Sequence, residues 1–154
     1  MPDGQQRTRS VRYKLTPQKT EIKNKKVLIL DDSIVRGTTS REIVKMVREF
    51  GAIEIYFVSA CPPIKNPCFY GVDIPSRSEL IAANDSLEQI RDYLKVDKLL
   101  YQRIDDLVEA VTRKGNHHIE QPCMACMNGR YVTGDIDNNK MQALEAERKR
   151  GTET

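Results

Sequence analysis

The passage that most constrains this chain runs from residue 27 to residue 40. Val27, Leu28, Ile29 and Leu30 are apolar without polar alternation, which predicts a strand buried on both faces, as in a parallel sheet. Asp31 and Asp32 follow at once. In open α/β sheets ligands bind at the C-terminal edge of the strands, because the loops leaving them form the crevice. Residues 33–39 then supply a loop with one glycine, Gly37, and the hydroxyls of Ser33, Thr38 and Thr39. It feeds into an amphipathic run over residues 40–50. Backbone N–H groups and hydroxyls placed there can cradle an anion at the start of a helix, and a side chain at Gly37 is expected to block its close approach. The two carboxylates would repel a bare phosphate, so sugar hydroxyls or a magnesium ion are their natural partners.

The remaining pattern predicts an α/β fold, a mainly parallel sheet flanked by helices. Ile43, Val44, Val47 and Phe50 recur at helical spacing, with Gly51 placed as a C-terminal cap. Residues 53–60 read as the next parallel strand, ended by Pro62-Pro63. Ser76 to Glu79 has capping-box spacing, predicting a short helix through Ala83, and Ser86 to Gln89 repeats it. Residues 98–102 form a short strand. Ile104, Leu107, Val108 and Val111 mark another helix ending near Gly115, and residues 141–150 a frayed surface helix. At 154 residues the chain can bury a single core.

Charge is unevenly placed. The net charge is only +3, yet residues 5–26 hold eight Lys or Arg against the single acid Glu21. Such a segment buries little and reads as a basic mobile arm over residues 1–26, either a solvated face or an electropositive flap over an anionic substrate. No apolar run approaches a membrane span and no signal-peptide core opens the chain, so a cytoplasmic protein without membrane or nucleic-acid partners is expected. Thiols stay reduced there. The four cysteines then read as ligands or buried thiols, Cys61 as a buried one. Cys123 and Cys126, at Cys-x-x-Cys spacing, with His118 nearby, are candidate zinc ligands.

The run Asp31-Asp32-Ser33-Ile34-Val35-Arg36-Gly37-Thr38-Thr39-Ser40 resembles the phosphoribosyl pyrophosphate (PRPP) signature of type I phosphoribosyltransferases, and within them the amidophosphoribosyltransferase family. Receiver domains of response regulators also place an acidic pair after their first strand. They need a phosphoacceptor Asp at a later strand end, where this chain has Ser59-Ala60-Cys61-Pro62. Further family-like runs are Ser59 to Ile64 and Pro67 to Pro75.

The resemblance implies a partial type I phosphoribosyltransferase fold over residues 27–134, followed by a helical tail over 135–154. It gives Asp31 and Asp32 the ribose hydroxyls and magnesium, and gives Ser33, Val35, Arg36, Gly37, Thr38 and Thr39 the 5-phosphate. Val11 to Leu15 resembles the family's flexible loop, in which Lys14 would reach the pyrophosphate; Tyr13 stands where an arginine is usual. The implied reaction joins glutamine-derived ammonia to PRPP and opens purine synthesis. Asp31, Asp32 and Lys14 would act catalytically by positioning and charge stabilisation. Cys68, Cys123 and Cys126 fall on three of the four ligand positions of the 4Fe-4S cluster found in one branch, the fourth lying upstream; Arg130 to Asp135 resembles the ending of the cluster-free branch. The family also carries an N-terminal glutaminase domain with a catalytic cysteine, absent from a chain opening Met1-Pro2-Asp3-Gly4. The full-length protein is expected to be a homo-oligomer, and the chain alone to be incomplete and inactive. A different type I phosphoribosyltransferase and a non-catalytic PRPP-sensing module are the alternatives.

Overall fold

The computed structural model describes residues 15–74, 76–113 and 119–151. Lys14, Tyr13, His117 and His118 therefore lie outside the described residues. A one-turn helix α1 (Lys19–Ile22) leads into strand β1 (Lys26–Asp31), helix α2 (Thr38–Glu49) and strand β2 (Glu54–Ser59). A 3-10 turn (Arg77–Glu79) and helices α3 (Ile81–Asn84) and α4 (Leu87–Leu94) connect to strand β3 (Lys98–Tyr101). Helices α5 (Ile104–Thr112), α6 (Ala125–Asn128) and α7 (Asn138–Gly151) complete the order.

The three strands pair in the order β1-β2-β3, all parallel. Asp31 is level with Ser59, and Ser59 with Tyr101. The register thus sets Asp31, Ser59 and Tyr101 abreast at the C-terminal edge.

Local chemistry sets the helix ends. Helix α2 starts two residues earlier than its apolar pattern suggests, because Gly37 adopts a left-handed φ of 74° and its carbonyl accepts the Arg41 N–H at 2.9 Å. It stops where Gly51 takes φ 95°. There the Gly51 N–H donates to the Arg48 carbonyl at 3.0 Å and the Ala52 N–H to the Val47 carbonyl at 3.4 Å, a Schellman closure. The capping box at Ser86 is formed: its hydroxyl accepts the Gln89 N–H at 3.3 Å, and Gln89 Oε1 accepts the Ser86 N–H at 2.7 Å. The one expected at Ser76 is not. The Ser76 side chain caps no backbone N–H; its hydroxyl donates instead to Glu79 Oε2 at 3.3 Å, and Arg36 holds the other carboxylate oxygen. A 3-10 turn and a separate one-turn helix replace the expected single helix.

The main core lies on one face of the sheet. Ile55, Phe57 and Leu99 meet Val44 and Val47 of α2, Ile81 and Ala82 of α3, and Ile90 and Leu94 of α4. Ile22 of α1 packs there too, so part of the segment expected to be a mobile arm is anchored on the core. The opposite face corrects the expectation of a strand buried on both sides: Leu28 is 62 %, Leu30 67 % and Leu100 52 % exposed. Both crossover helices lie on the other face, and the described residues leave this one largely open. A separate small core joins Ala125, Tyr131 and Met141, with Phe69 and Ile136 against it. Met141 is buried there, so the first turn of α7 is docked rather than frayed. No helix among the described residues is long and apolar enough to cross a membrane.

The one-sided core makes a measurable contrast. Phe57, fully buried, should cost about 3–5 kcal/mol when truncated to Ala. Leu30→Thr, on the open face, should stay within about 0.5 kcal/mol. Urea denaturation of both variants checks this, and comparable losses would contradict it.

Candidate functional site

At the C-terminal edge of β1, residues 31–33 and 35–40 line a hollow of about 330 Å³. Every PRPP-binding position read from the sequence is among them; Lys14 lies outside the described residues. A larger hollow of about 510 Å³ sits between α2 and α4 and is lined by Arg41, Lys45, Arg48 and Lys95, but it holds no carboxylate pair. Size does not choose between them; chemistry does.

The loop is anchored between its ends. Ile34 drops into the core with 1 % of its surface exposed. The Val35 carbonyl accepts the Ile81 N–H at 3.0 Å, and Arg36 Nε donates to Glu79 Oε1 at 2.9 Å. Gly37, the N-cap of α2, offers no side-chain cap, which leaves the first-turn N–H groups open to an anion. The reason for a glycine differs from the sequence-based one. A Cβ at Gly37 would meet Ile81 Cδ1 at 3.0 Å and Tyr93 Cε1 at 3.1 Å. It would point into the packing behind the loop, so the residue is required by its positive φ and by that close contact.

The acidic pair is unequal. Asp31 is half-buried and Asp32 exposed. Asp31 Oδ1 accepts the Asp32 N–H at 3.0 Å, and the Ser33 hydroxyl donates to Asp32 Oδ1 at 3.0 Å. Burial pushes the Asp31 carboxyl above its ordinary value; the Asp32 N–H opposes this and the charge on Asp32 adds to it. A carboxylate held at that cost is suited to a cation or to hydroxyl donors. Beside it, burial raises the Cys61 thiol to about 11 and the Tyr101 phenol to about 12, so both stay protonated at neutral pH. Tyr101 Oη is buried with no hydrogen-bond partner among the described residues.

The cysteines form a second locus. Cys61, Cys68 and Cys126 pack on the small cluster of Ile64, Ile74 and Leu80. Burial raises the Cys126 thiol, and Cys68 and Cys123 add to the shift; Cys68 Sγ accepts the Tyr70 N–H at 3.4 Å. Among the described residues no three His, Cys, Asp or Glu side chains are grouped closely enough to hold a metal ion. The three candidate thiols therefore do not by themselves make a cluster site. His118, the other candidate zinc ligand, lies outside the described residues.

No family model matches the chain. It is 45 % identical over 145 residues to the amidophosphoribosyltransferase of Escherichia coli strain K12, covering 94 % of the chain and 28 % of that protein. The Saccharomyces cerevisiae amidophosphoribosyltransferase is 41 % identical over 149 residues, covering 97 % of the chain and 28 % of that protein. Its homologues are amidophosphoribosyltransferases. Among solved structures, the glutamine PRPP amidotransferase from B. subtilis complexed with ADP and GMP superposes with a TM-score of 0.67 at 36 % identity, over 86 % of this chain and 29 % of that one. A structure described as the allosteric regulatory enzyme of purine biosynthesis gives 0.70 at 33 % identity, over 94 % and 31 %. The chain thus spans under a third of the amidophosphoribosyltransferases it matches, and its parallel α/β sheet is that of PRPP amidotransferase structures.

Sequence reasoning missed Glu79, which holds Arg36 from behind this site, and Tyr101, at the same sheet edge two strands from Asp31. Glu79 was hidden by its own spacing, since Ser-x-x-Glu is also the signature of a capping box. Tyr101 reads only as a strand residue until the register brings it abreast of Asp31.

Two outcomes follow. Gly37→Ala should destabilise the fold by about 1–2 kcal/mol from the left-handed backbone alone, more if Ile81 and Tyr93 cannot give way; thermal unfolding with no change would refute it. Because the folded state raises the Asp31 pKa, ionisation of Asp31 works against folding, and its cost disappears as pH falls toward the ordinary value of 3.8. Asp31→Asn should therefore be more stable than the parent at pH 7, with the gain gone below about pH 4, as read by urea denaturation at both pH values.

Proposed function

We propose that the chain is the PRPP-binding portion of an amidophosphoribosyltransferase, corresponding to the C-terminal part of its type I phosphoribosyltransferase domain. The observation that carries this is the single hollow lined by the acidic pair and the Gly37-Thr38-Thr39 loop at the start of α2. Asp31 and Asp32 would hold the ribose hydroxyls and Mg2+, and residues 33–39 the 5-phosphate. Asp31 fits the cation, because a positive charge beside it would offset the cost of its burial. Magnesium, when bound, offsets pyrophosphate charge.

In the reaction the nitrogen of ammonia attacks C1 of the ribose, the N–C1 bond forms and the C1–O bond to pyrophosphate breaks. The chain's own part is to orient the ribose through Asp31 and Asp32, to fix the 5-phosphate, and to bring Lys14 of the basic arm to the departing pyrophosphate. Glutamine and a homo-oligomer belong to the longer protein, and a cytoplasmic setting to both. We keep the division into an arm over 1–26, a transferase portion over 27–134 and a tail over 135–154, with α7 docked on the portion before it. The iron–sulfur reading of Cys68, Cys123 and Cys126 belongs to a longer protein that supplies a fourth ligand. Brown, anaerobically purified protein with matching iron and sulfide would support it.

Calorimetric titration of the chain with PRPP and magnesium tests the central reading. Asp31→Asn and Asp32→Asn should each weaken PRPP by about tenfold or more, and acetyl phosphate should leave no phosphoaspartate. Affinity unchanged from the parent in both variants, or a phosphoaspartate at either position, would sink it.

A further inference from the structure

We propose that Glu79 is a positioning residue that holds the phosphate loop in its binding shape through Arg36; the proposal rests on the reading of residues 33–39 as a phosphate cradle. Three consecutive loop residues are fixed by one short segment across the site. The Val35 carbonyl takes the Ile81 N–H, Arg36 Nε donates to Glu79 Oε1, and Gly37 sits against the Ile81 side chain. Of these, only the Arg36–Glu79 contact is a side-chain pair that a substitution can remove without altering the backbone.

The segment is built as a rigid support. Leu80 is fully buried, and the Asn84 side-chain amide donates to the carbonyls of Arg77, Ser78 and Leu80 at 3.2, 3.2 and 2.8 Å. Glu79 is itself oriented, since its second oxygen accepts the Ser76 hydroxyl at 3.3 Å, and that hydroxyl lies 3.1 Å from Ser78 Oγ. Arg36 lines the hollow and Glu79 does not. The carboxylate therefore works from behind, setting where the guanidinium stands relative to the incoming anion.

Magnitude separates this role from a structural one. The Glu79 carboxylate is 47 % exposed although Arg36 is only 21 % exposed, and an ion pair with one partner so open to water contributes about 1 kcal/mol to folding. The pair contributes little to stability. Its effect falls instead on a binding geometry in which an arginine must meet a phosphate along defined directions. The hydrogen bond from the Arg36 guanidinium holds the Glu79 carboxyl below its usual range, so the carboxylate is ionised at neutral pH.

The probe is ribose 5-phosphate, titrated calorimetrically into the chain and its variants. Glu79→Gln should weaken it by about tenfold, and Glu79→Asp, which restores the charge, should return affinity to within about threefold of the parent. The melting temperature should hardly move. In NMR spectra the Arg36 Nε–H should exchange slowly in the parent and rapidly in Glu79→Gln, with or without ligand. Unchanged affinity in Glu79→Gln while the parent binds would overturn the positioning role alone. So would a loss that tracks a fall in melting temperature and is not rescued by Asp. A parent chain that does not bind ribose 5-phosphate would overturn the phosphate-cradle reading itself.

Discussion

At Gly37 the backbone turns from loop to helix with a left-handed φ, wedged against Ile81 and Tyr93. That left-handed turn sets the start of α2 and the direction its first N–H groups face. Ile34, three residues earlier, anchors the loop's other side in the same core. The site is therefore an extension of the hydrophobic packing and not a loop laid over it. Binding groups on a surface loop are normally the least ordered part of a domain; here the apolar anchors on either side of the polar residues counter that tendency.

The acidic pair shows the opposite economy. Asp31 follows β1's apolar run, faces the core side and is partly desolvated, with a second carboxylate adjoining it. Nothing in the fold needs a charge there, and a neutral residue would serve stability better. Such local conflict between stability and placement is what a functional position looks like when the surrounding packing can bear it. Cys61 and Tyr101, close by, are held protonated by the same burial, so the negative charge of this corner belongs to the aspartates.

Much of this was legible in the residues, for identifiable reasons. Strand, acids, loop and helix are contiguous from residue 27 to residue 40, and each step is governed by local rules of periodicity and glycine conformation. The capping box at Ser86 is likewise local, and it formed. What failed to show was non-local. An apolar run says that a strand prefers burial but not that both crossover helices lie on one side, so the openness of Leu28 and Leu30 had no signature. The Ser76 box failed because the Ser76 hydroxyl turns to the Glu79 carboxylate, which Arg36, far away in sequence, also holds. Met141 and Leu144, at one helical spacing on an otherwise polar run, read as a frayed surface helix, whereas Met141 packs with Ala125 and Tyr131.

The support of the loop by residues 79–81 also bears on how the molecule acquires its site. Arg36 and Glu79 are 43 positions apart, and the Val35–Ile81 contact reaches slightly farther, whereas β1, α2 and β2 need nothing beyond residue 59 to pair. Closing such a separation costs chain entropy that only later contacts return. During synthesis from the N-terminus the acids and the loop emerge well before the segment that shapes them. The motif that reads as the most local in the sequence is thus, in folding order, a late and long-range one, completed only when residues 79–81 reach the sheet edge.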